Sequence, residues 1–247
     1  MDRLIIGSFT NYQAMDCEQS TPERYFYDAE DFVFLNRLKE QWKDIYAEFL
    51  ALERSAETSG RIHAWPEKGL YQNRLDEGEI NKGIGWNVLG LYAFGKKRED
   101  NCRLCPLTND LLEGFPSGPP TTAAFSILEP GTNILPHYGY AEYSSRILRC
   151  HLGLEVPCPA NAQGVGDECC LKVGEDLYSW KEGELVVFDD SYIHQAWNHY
   201  RSRRVVLLLD FPRPLQYYRE YPKEHEEQCT NGIVYLDKLT SEFGYND

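Results

Sequence analysis

Positive charge is scarce in this sequence. Lysine and arginine number 25 against 39 aspartates and glutamates, for a net charge of −14. A general nucleic-acid binder needs a basic surface to displace counterions from phosphates, so the balance argues against that class. It argues equally against electrostatic docking to anionic lipid. Long apolar runs are also missing. The run 205–209 is among the longest, far short of the ~20 residues of a membrane span. The opening stretch MDRLIIGSFTNYQ has no sustained apolar segment, so no secretory leader is expected and a cytoplasmic location is. There is no tandem repeat and no low-complexity tract. A second CxxC is absent as well. Cys102-Arg103-Leu104-Cys105 stands alone and the adjacent Cys169-Cys170 is a poor partner for it. The eight cysteines are therefore expected to be reduced and structural, not a zinc ribbon or a redox pair.

What is present is ordinary globular material. Hydrophobic residues make up 42% and aromatics 13% of 247 residues, enough to bury a core without staples and too much for disorder. Asp28 is placed to cap a helix, with Glu30 and Asp31 in its first turn. Leu35, Leu38, Trp42, Ile45, Phe49 and Leu52 then recur at helical spacing, which predicts one amphipathic helix ending near Arg54. Residues 55–85 are broken by glycine and proline. A strand is expected over 86–94, weakened by Gly90, and a short helix over 108–112. From residue 121 the pattern turns to strands at 122–128, 145–156, 170–173, 177–180, 184–188, 193–198 and 203–211. Turn signals lie at 129–131 and 174–176. Several short strands of this kind predict a sandwich, jelly roll or barrel. The tail 212–247 is polar and aromatic and is expected to wrap as helix and loop.

Six histidines are available, and His137, His151 and His194 fall in the strand region. In a small jelly roll, one imidazole near an early strand and another on a late strand can meet in the barrel mouth. Such a pair suits Fe(II), Zn(II), Cu(II) or Ni(II). Two strand histidines alone are commonplace, but basic residues accompany them. Arg204 opens a very apolar strand. Arg149 and His151 share one strand face, opposite Leu148, Cys150 and Leu152, so Cys150 is expected to point away. A buried guanidinium needs a carboxylate or an anionic ligand. The combined inventory is a metal plus a dicarboxylate.

The motifs Phe125-Ser126-Ile127-Leu128-Glu129-Pro130-Gly131-Thr132, Pro136-His137-Tyr138-Gly139, Leu148-Arg149-Cys150-His151-Leu152-Gly153-Leu154, Trp180-Lys181-Glu182-Gly183-Glu184 and Phe188-Asp189-Asp190-Ser191-Tyr192-Ile193-His194, followed by Arg204 and Asp210, resemble the aspartyl/asparaginyl β-hydroxylase family. The resemblance runs from about Gly85 to Pro214. It implies a mostly β, double-stranded β-helix fold (jelly roll, cupin-like) with helical N- and C-terminal decoration. The expected organisation is a single oxygenase domain over 1–247: a helical region to about 84, a catalytic core over about 85–214, and an extension over 215–247. The resemblance also implies Fe(II), 2-oxoglutarate and O2 as cofactor and cosubstrates. His137 and His194 are the implied iron ligands. Arg204 and Ser126 are the implied partners of the distal 2-oxoglutarate carboxylate, with Arg149, His151 and Trp86 around it.

Most iron/2-oxoglutarate enzymes carry a carboxylate two residues after the first histidine. Here that position is Gly139, a feature the family shares, as do some halogenases. Asp189 and Asp190 are the nearest acids and are read as orienting His194 or bound water. The segment 138–145 is slightly longer than the family's usual one, which makes Tyr138, Gly139 and Tyr140 candidate substrate-pocket residues. The expected reaction is hydroxylation of an unactivated C–H bond. The β-carbon of an Asp/Asn-like residue, or a related amino-acid, peptide or small-molecule substrate, is the expected target. Two alternatives stay open. One is halogenation, desaturation or cyclisation of a small natural-product intermediate at the same site. The other is a non-catalytic jelly-roll binding protein. Nucleic-acid partners and a membrane span are not expected.

Overall fold

Alternation along one strand organises the molecule. In the computed structural model, which describes residues 23–55, 60–74, 78–157 and 168–218, residues 204–212 form a strand buried on both faces. Successive side chains point to opposite sides of a sheet. Here each side meets a different core. Val205, Leu207, Leu209 and Phe211 pack outward against helices. Val206 and Leu208 pack inward, between two sheets.

The strands are β1 (Phe26–Tyr27), β2 (His63–Ala64), β3 (Tyr71–Asn73), β4 (Asn81–Lys82), β5 (Trp86–Ala93), β6 (Lys96–Lys97), β7 (Thr122–Leu128), β8 (Thr132–His137), β9 (Ile147–Glu155), β10 (Cys169–Val173), β11 (Asp176–Ser179), β12 (Leu185–Phe188), β13 (His194–Asn198) and β14 (Arg204–Pro212). The larger sheet runs β1-β12-β9-β14-β7-β5-β2, with β6 added to β5. The smaller runs β11-β10-β13-β8-β3-β4. Their paired strands are antiparallel, and neighbours in each sheet are mostly distant in sequence. This is the expected double-stranded β-helix.

The outer face of the larger sheet is covered by α1 (Asn36–Glu40) and α2 (Trp42–Arg54), and by α3 (Glu99–Leu104) and α4 (Pro106–Glu113). Phe49 of α2 is fully buried and its ring lies 5.0 Å from that of Phe125 on β7. Glu48, also on α2, caps α4: its carboxylate accepts from the Leu107 and Thr108 amides at 2.8 and 2.9 Å. These amides have no partner inside the helix, and a carboxylate suits the positive end of its dipole.

Several elements differ from the sequence expectation. The helix expected over 28–54 is broken. Asp28 does cap, but two 3-10 turns (Ala29–Asp31 and Val33–Leu35) come before α1 and α2. The apolar spacing still marks the buried face: Leu35, Leu38, Ile45, Phe49 and Leu52 are all in the outer core. Strand β8 and helix α3 are additions to the expected elements, and the broken region 55–85 supplies β2, β3 and β4. The longer segment after His137 folds as a helix, α5 (Ala141–Arg146), leading directly into β9. The expected wrapping of the tail falls, beyond residue 218, outside the described residues. Cys102, Cys105, Cys150, Cys169 and Cys170 are buried free thiols, and Cys150 faces the outer core. Cys17, Cys158 and Cys229 lie outside the described residues.

Replacing Phe49 by alanine removes an aromatic from the helix–sheet core. The expected cost is about 3–5 kcal/mol of unfolding free energy, read as a lower midpoint in urea denaturation.

Candidate active site

Seven residues expected from the sequence meet in one cavity between the sheets. Trp86 (β5), Ser126 (β7), Arg149 and His151 (β9) and Arg204 (β14) come from the larger sheet. His137 (β8) and His194 (β13) come from the smaller one. Ile134, Leu171, Phe188 and Leu208 supply the apolar remainder of the wall.

His137 points inward because β8 contains a bulge. Ile134 pairs with Ala196 and His137 with His194, so Leu135 and Pro136 together oppose the single Gln195. The extra residue reverses the alternation after Ile134. Pro136, which cannot donate to the ladder, sits where a bulge tolerates it. The two imidazoles then face each other with ring centroids 4.2 Å apart. His137 Nδ1 donates to the Leu135 carbonyl and His194 Nδ1 to the Tyr192 carbonyl, each at 2.8 Å. A carbonyl only accepts, so the proton is on Nδ1 and Nε2 keeps its lone pair. Burial lowers His137 to about 3, helped by the neighbouring His194, and lowers His194 to about 4. Both are neutral near pH 7, as metal ligation requires. His194 Nε2 also lies 3.3 Å from Asp190 Oδ1. Two acceptors at that separation are matched by a cation near both. Among the described residues no group of three or more His, Cys, Asp or Glu side chains surrounds one metal position. The residues present fit a metal held by two histidines.

The deep end of the cavity fits an anion. Arg204 is 1% exposed, and among the described residues no carboxylate pairs with it. Its Nη1 donates to the Ser126 carbonyl at 3.2 Å, its Nε has no partner, and its guanidinium lies 4.6 Å above the Trp180 ring. Burial lowers it to about 10, so it stays charged near neutral pH. Trp86 Nε1 donates to the Ser126 hydroxyl at 3.0 Å. Both ring nitrogens of His151 are buried without a partner, and burial, then Arg204, holds that ring neutral. Buried polar groups left unpaired cost about 1–3 kcal/mol each. A carboxylate seated here removes that cost.

Arg149 is different. It stands in register opposite Asp210 on β14 and is bound to it by two parallel hydrogen bonds of 2.7 and 2.9 Å. Its remaining Nη1 donates to Asp190. Asp190 also accepts from the Ser144 hydroxyl at 3.0 Å. Asp189 turns both oxygens to Arg213, at 2.6 and 2.7 Å, and caps the Ser191 amide and hydroxyl. A Cβ on Gly139 would overlap Asp190 Oδ2 and Ser144 Oγ, so no larger residue fits there. Tyr138 is half-buried next to His137. The phenol of Tyr140 donates to Glu67.

The sequence pattern does not single out Ser144, Arg213, Glu67 or Trp65. Ser144 and Arg213 act on Asp190 and Asp189 from elements whose positions no local pattern reveals. Glu67 comes from the region that reads as broken loop, and no periodicity marks it.

His137, His151 and His194 give the site a pH signature. Their folded pKa values lie below the ordinary 6.5, so below about pH 6.5 the unfolded chain binds protons that the folded chain refuses. The metal-free protein should keep full stability above that pH. It should lose melting temperature steadily as the pH falls toward about 4, a fall that thermal melts at stepped pH would record.

Comparison with known proteins bears on the same residues. The family model described as Aspartyl/Asparaginyl beta-hydroxylase matches residues 39–214. The ornithine lipid ester-linked acyl 2-hydroxylase of Rhizobium tropici is 40% identical over 137 residues, which is 56% of this chain and 45% of that protein. The human aspartyl/asparaginyl beta-hydroxylase is 32% identical over 183 residues, 72% of this chain and 21% of that one. The chain thus spans less than half the length of either relative. A solved oxidoreductase of the 2OG-Fe(II) oxygenase family from Burkholderia pseudomallei aligns with a TM-score of 0.46 at 13% identity, covering 68% of this chain and 78% of that one. The family match spans α2 through the end of β14, and with it every cavity residue named above: the chain belongs to the aspartyl/asparaginyl β-hydroxylase family.

Proposed function

We propose that this chain is an Fe(II)- and 2-oxoglutarate-dependent oxygenase that hydroxylates an unactivated C–H bond of an amino-acid or peptide substrate. The observation that carries it is the pairing of opposed, neutral, Nδ1-anchored histidines with a buried arginine that has no carboxylate partner among the described residues. His137 and His194 would hold the iron, leaving its other positions to small molecules. Arg204 and the Ser126 hydroxyl would take the distal carboxylate of 2-oxoglutarate through charge-assisted bonds, a guanidinium forking onto a carboxylate. His151 and Trp86 would line the cosubstrate. When bound, the iron supplies O2 activation coupled to oxidation of 2-oxoglutarate to succinate and CO2.

The chain's own residues orient and shield. The Leu135 and Tyr192 carbonyls fix both imidazole tautomers. Phe188, Leu171, Ile134 and Leu208 keep bulk water from the cavity. Asp190, held by Arg149 and Ser144, stands beside the histidine pair, where it can accept hydrogen bonds from metal-bound water. Its carboxylate fills the space next to Gly139, which we read as favouring hydroxylation over halogenation.

His137→Ala and His194→Ala should each cut Fe(II) binding at least tenfold, measured by equilibrium dialysis of the metal. Arg204→Ala should leave iron binding in place and raise the 2-oxoglutarate requirement by about tenfold or more, since a charge-assisted bond is worth roughly 1.5–3 kcal/mol. Iron and 2-oxoglutarate binding unaffected by all three changes would overturn the assignment. Product mass with and without chloride separates hydroxylation from halogenation. A protein purified without iron that forms no succinate with any candidate substrate after iron is restored would favour the binding-protein alternative.

A further inference from the structure

The charged groups in and beside the cavity are unequally matched. Arg149, which lines the cavity, is already bound by Asp210 and Asp190. Glu67 lies close enough to Arg149 and Asp190 to feel both charges, yet among the described residues no cation pairs with it. Its Oε2 receives two neutral donors, the Tyr140 phenol and the Trp65 indole N–H at 3.1 Å. Its Oε1 receives none among the described residues. Burial raises its carboxyl above the ordinary range, while these two hydrogen bonds favour the ionised form. When ionised, the carboxylate carries a negative charge that no cation among the described residues pairs with.

Both of its donors belong to aromatic side chains. Trp65 stacks on the cavity residue Trp86 at 4.4 Å. Tyr140 meets Phe94 edge to face at 5.9 Å. Phe94 is the one non-glycine residue with positive φ among the described residues, at 49°, where a bulky side chain is an outlier. With Gly95 it makes the two-residue turn between β5 and β6, a place that usually takes Asn, Asp or Gly. Backbone strain of this sort is retained where the surroundings hold it, and here the holding contacts are Tyr140 and Tyr143. A carboxylate whose donors among the described residues are neutral matches a cation, whose N–H groups it can take as charge-assisted hydrogen bonds.

We propose that the substrate carries an ammonium group that binds at the Glu67 carboxylate, beside Trp65 and Tyr140 and next to the cavity, so that the preferred substrate is cationic there rather than anionic. This rests on the oxygenase reading above, and the two failures are distinguishable. The full-length protein is loaded with Zn(II) and 2-oxoglutarate, and binding of n-butylammonium, butyrate and butanol is followed by ligand-observed NMR. Butylammonium should saturate and outbind the other two. Glu67→Gln should weaken it about tenfold or more, and Tyr140→Phe should weaken it less. Butyrate or butanol binding as well as butylammonium would overturn the inference. So would the absence of saturable butylammonium binding, or an unchanged affinity in Glu67→Gln. The 2-oxoglutarate affinity, measured on the same samples, tests the oxygenase reading alone. Retained 2-oxoglutarate binding without an ammonium preference sinks only the inference, and absent 2-oxoglutarate binding overturns the oxygenase reading and, with it, the assignment of the ammonium group to an oxygenase substrate.

Discussion

Two arginines share one barrel interior, and among the described residues only one of them has carboxylate partners. A guanidinium in a low-dielectric cavity must be matched, because desolvation costs several kcal/mol and Coulomb attraction must return it. Arg149 is matched from within, by Asp210 across the strand pair and by Asp190 from the loop before β13. Arg204 is left to its carbonyl and its tryptophan. This asymmetry gives the cavity its polarity. The unmatched arginine defines the end where an external anion belongs, and the matched one becomes scaffolding for the aspartate beside the histidine pair.

Much of this is legible in the sequence, for identifiable reasons. Parity alone puts Arg149 and His151 on one face and Cys150 on the other, because β9 keeps a strict alternation through those residues. The buried face of the N-terminal helices is legible because apolar spacing survives the break between α1 and α2. His137 is found by motif and not by pattern. The bulge at Leu135 and Pro136 reverses the alternation, so a period-two reading of β8 places that histidine outside. Glu67 and Arg213 are invisible for a different reason. Each works through contacts some 73 and 24 residues away, and no local rule carries information over that span.

The slightly longer segment after His137 reads in the sequence as a shaper of the substrate pocket, and the structure gives it a further part. As helix α5 it delivers Ser144 to Asp190 and brings the Tyr143 phenol to Thr121, Thr122 and Asp210. Both carboxylates that hold Arg149 are thereby tethered to one short helix. Gly139 is the hinge of this arrangement, since only a residue without Cβ leaves room for the Asp190 carboxylate above it. The absence of a metal-binding carboxylate at position 139 and the presence of Asp190 beside the histidines are two aspects of one packing solution.

The sheet at the centre of the molecule has a core on each side, and the two are built to different standards. Outside, leucines and phenylalanines lock against helices, and the buried polar groups beside them, Asn101 and Thr108, are satisfied by the Gly90 carbonyl and the Glu48 carboxylate. Inside, unpaired imidazole and guanidinium nitrogens face a hollow. A protein that had to rely on the inner face for its persistence would be pressed to fill that hollow and mate those nitrogens. Because the outer face bears that duty, the inner one is free to stay incomplete until something arrives to complete it.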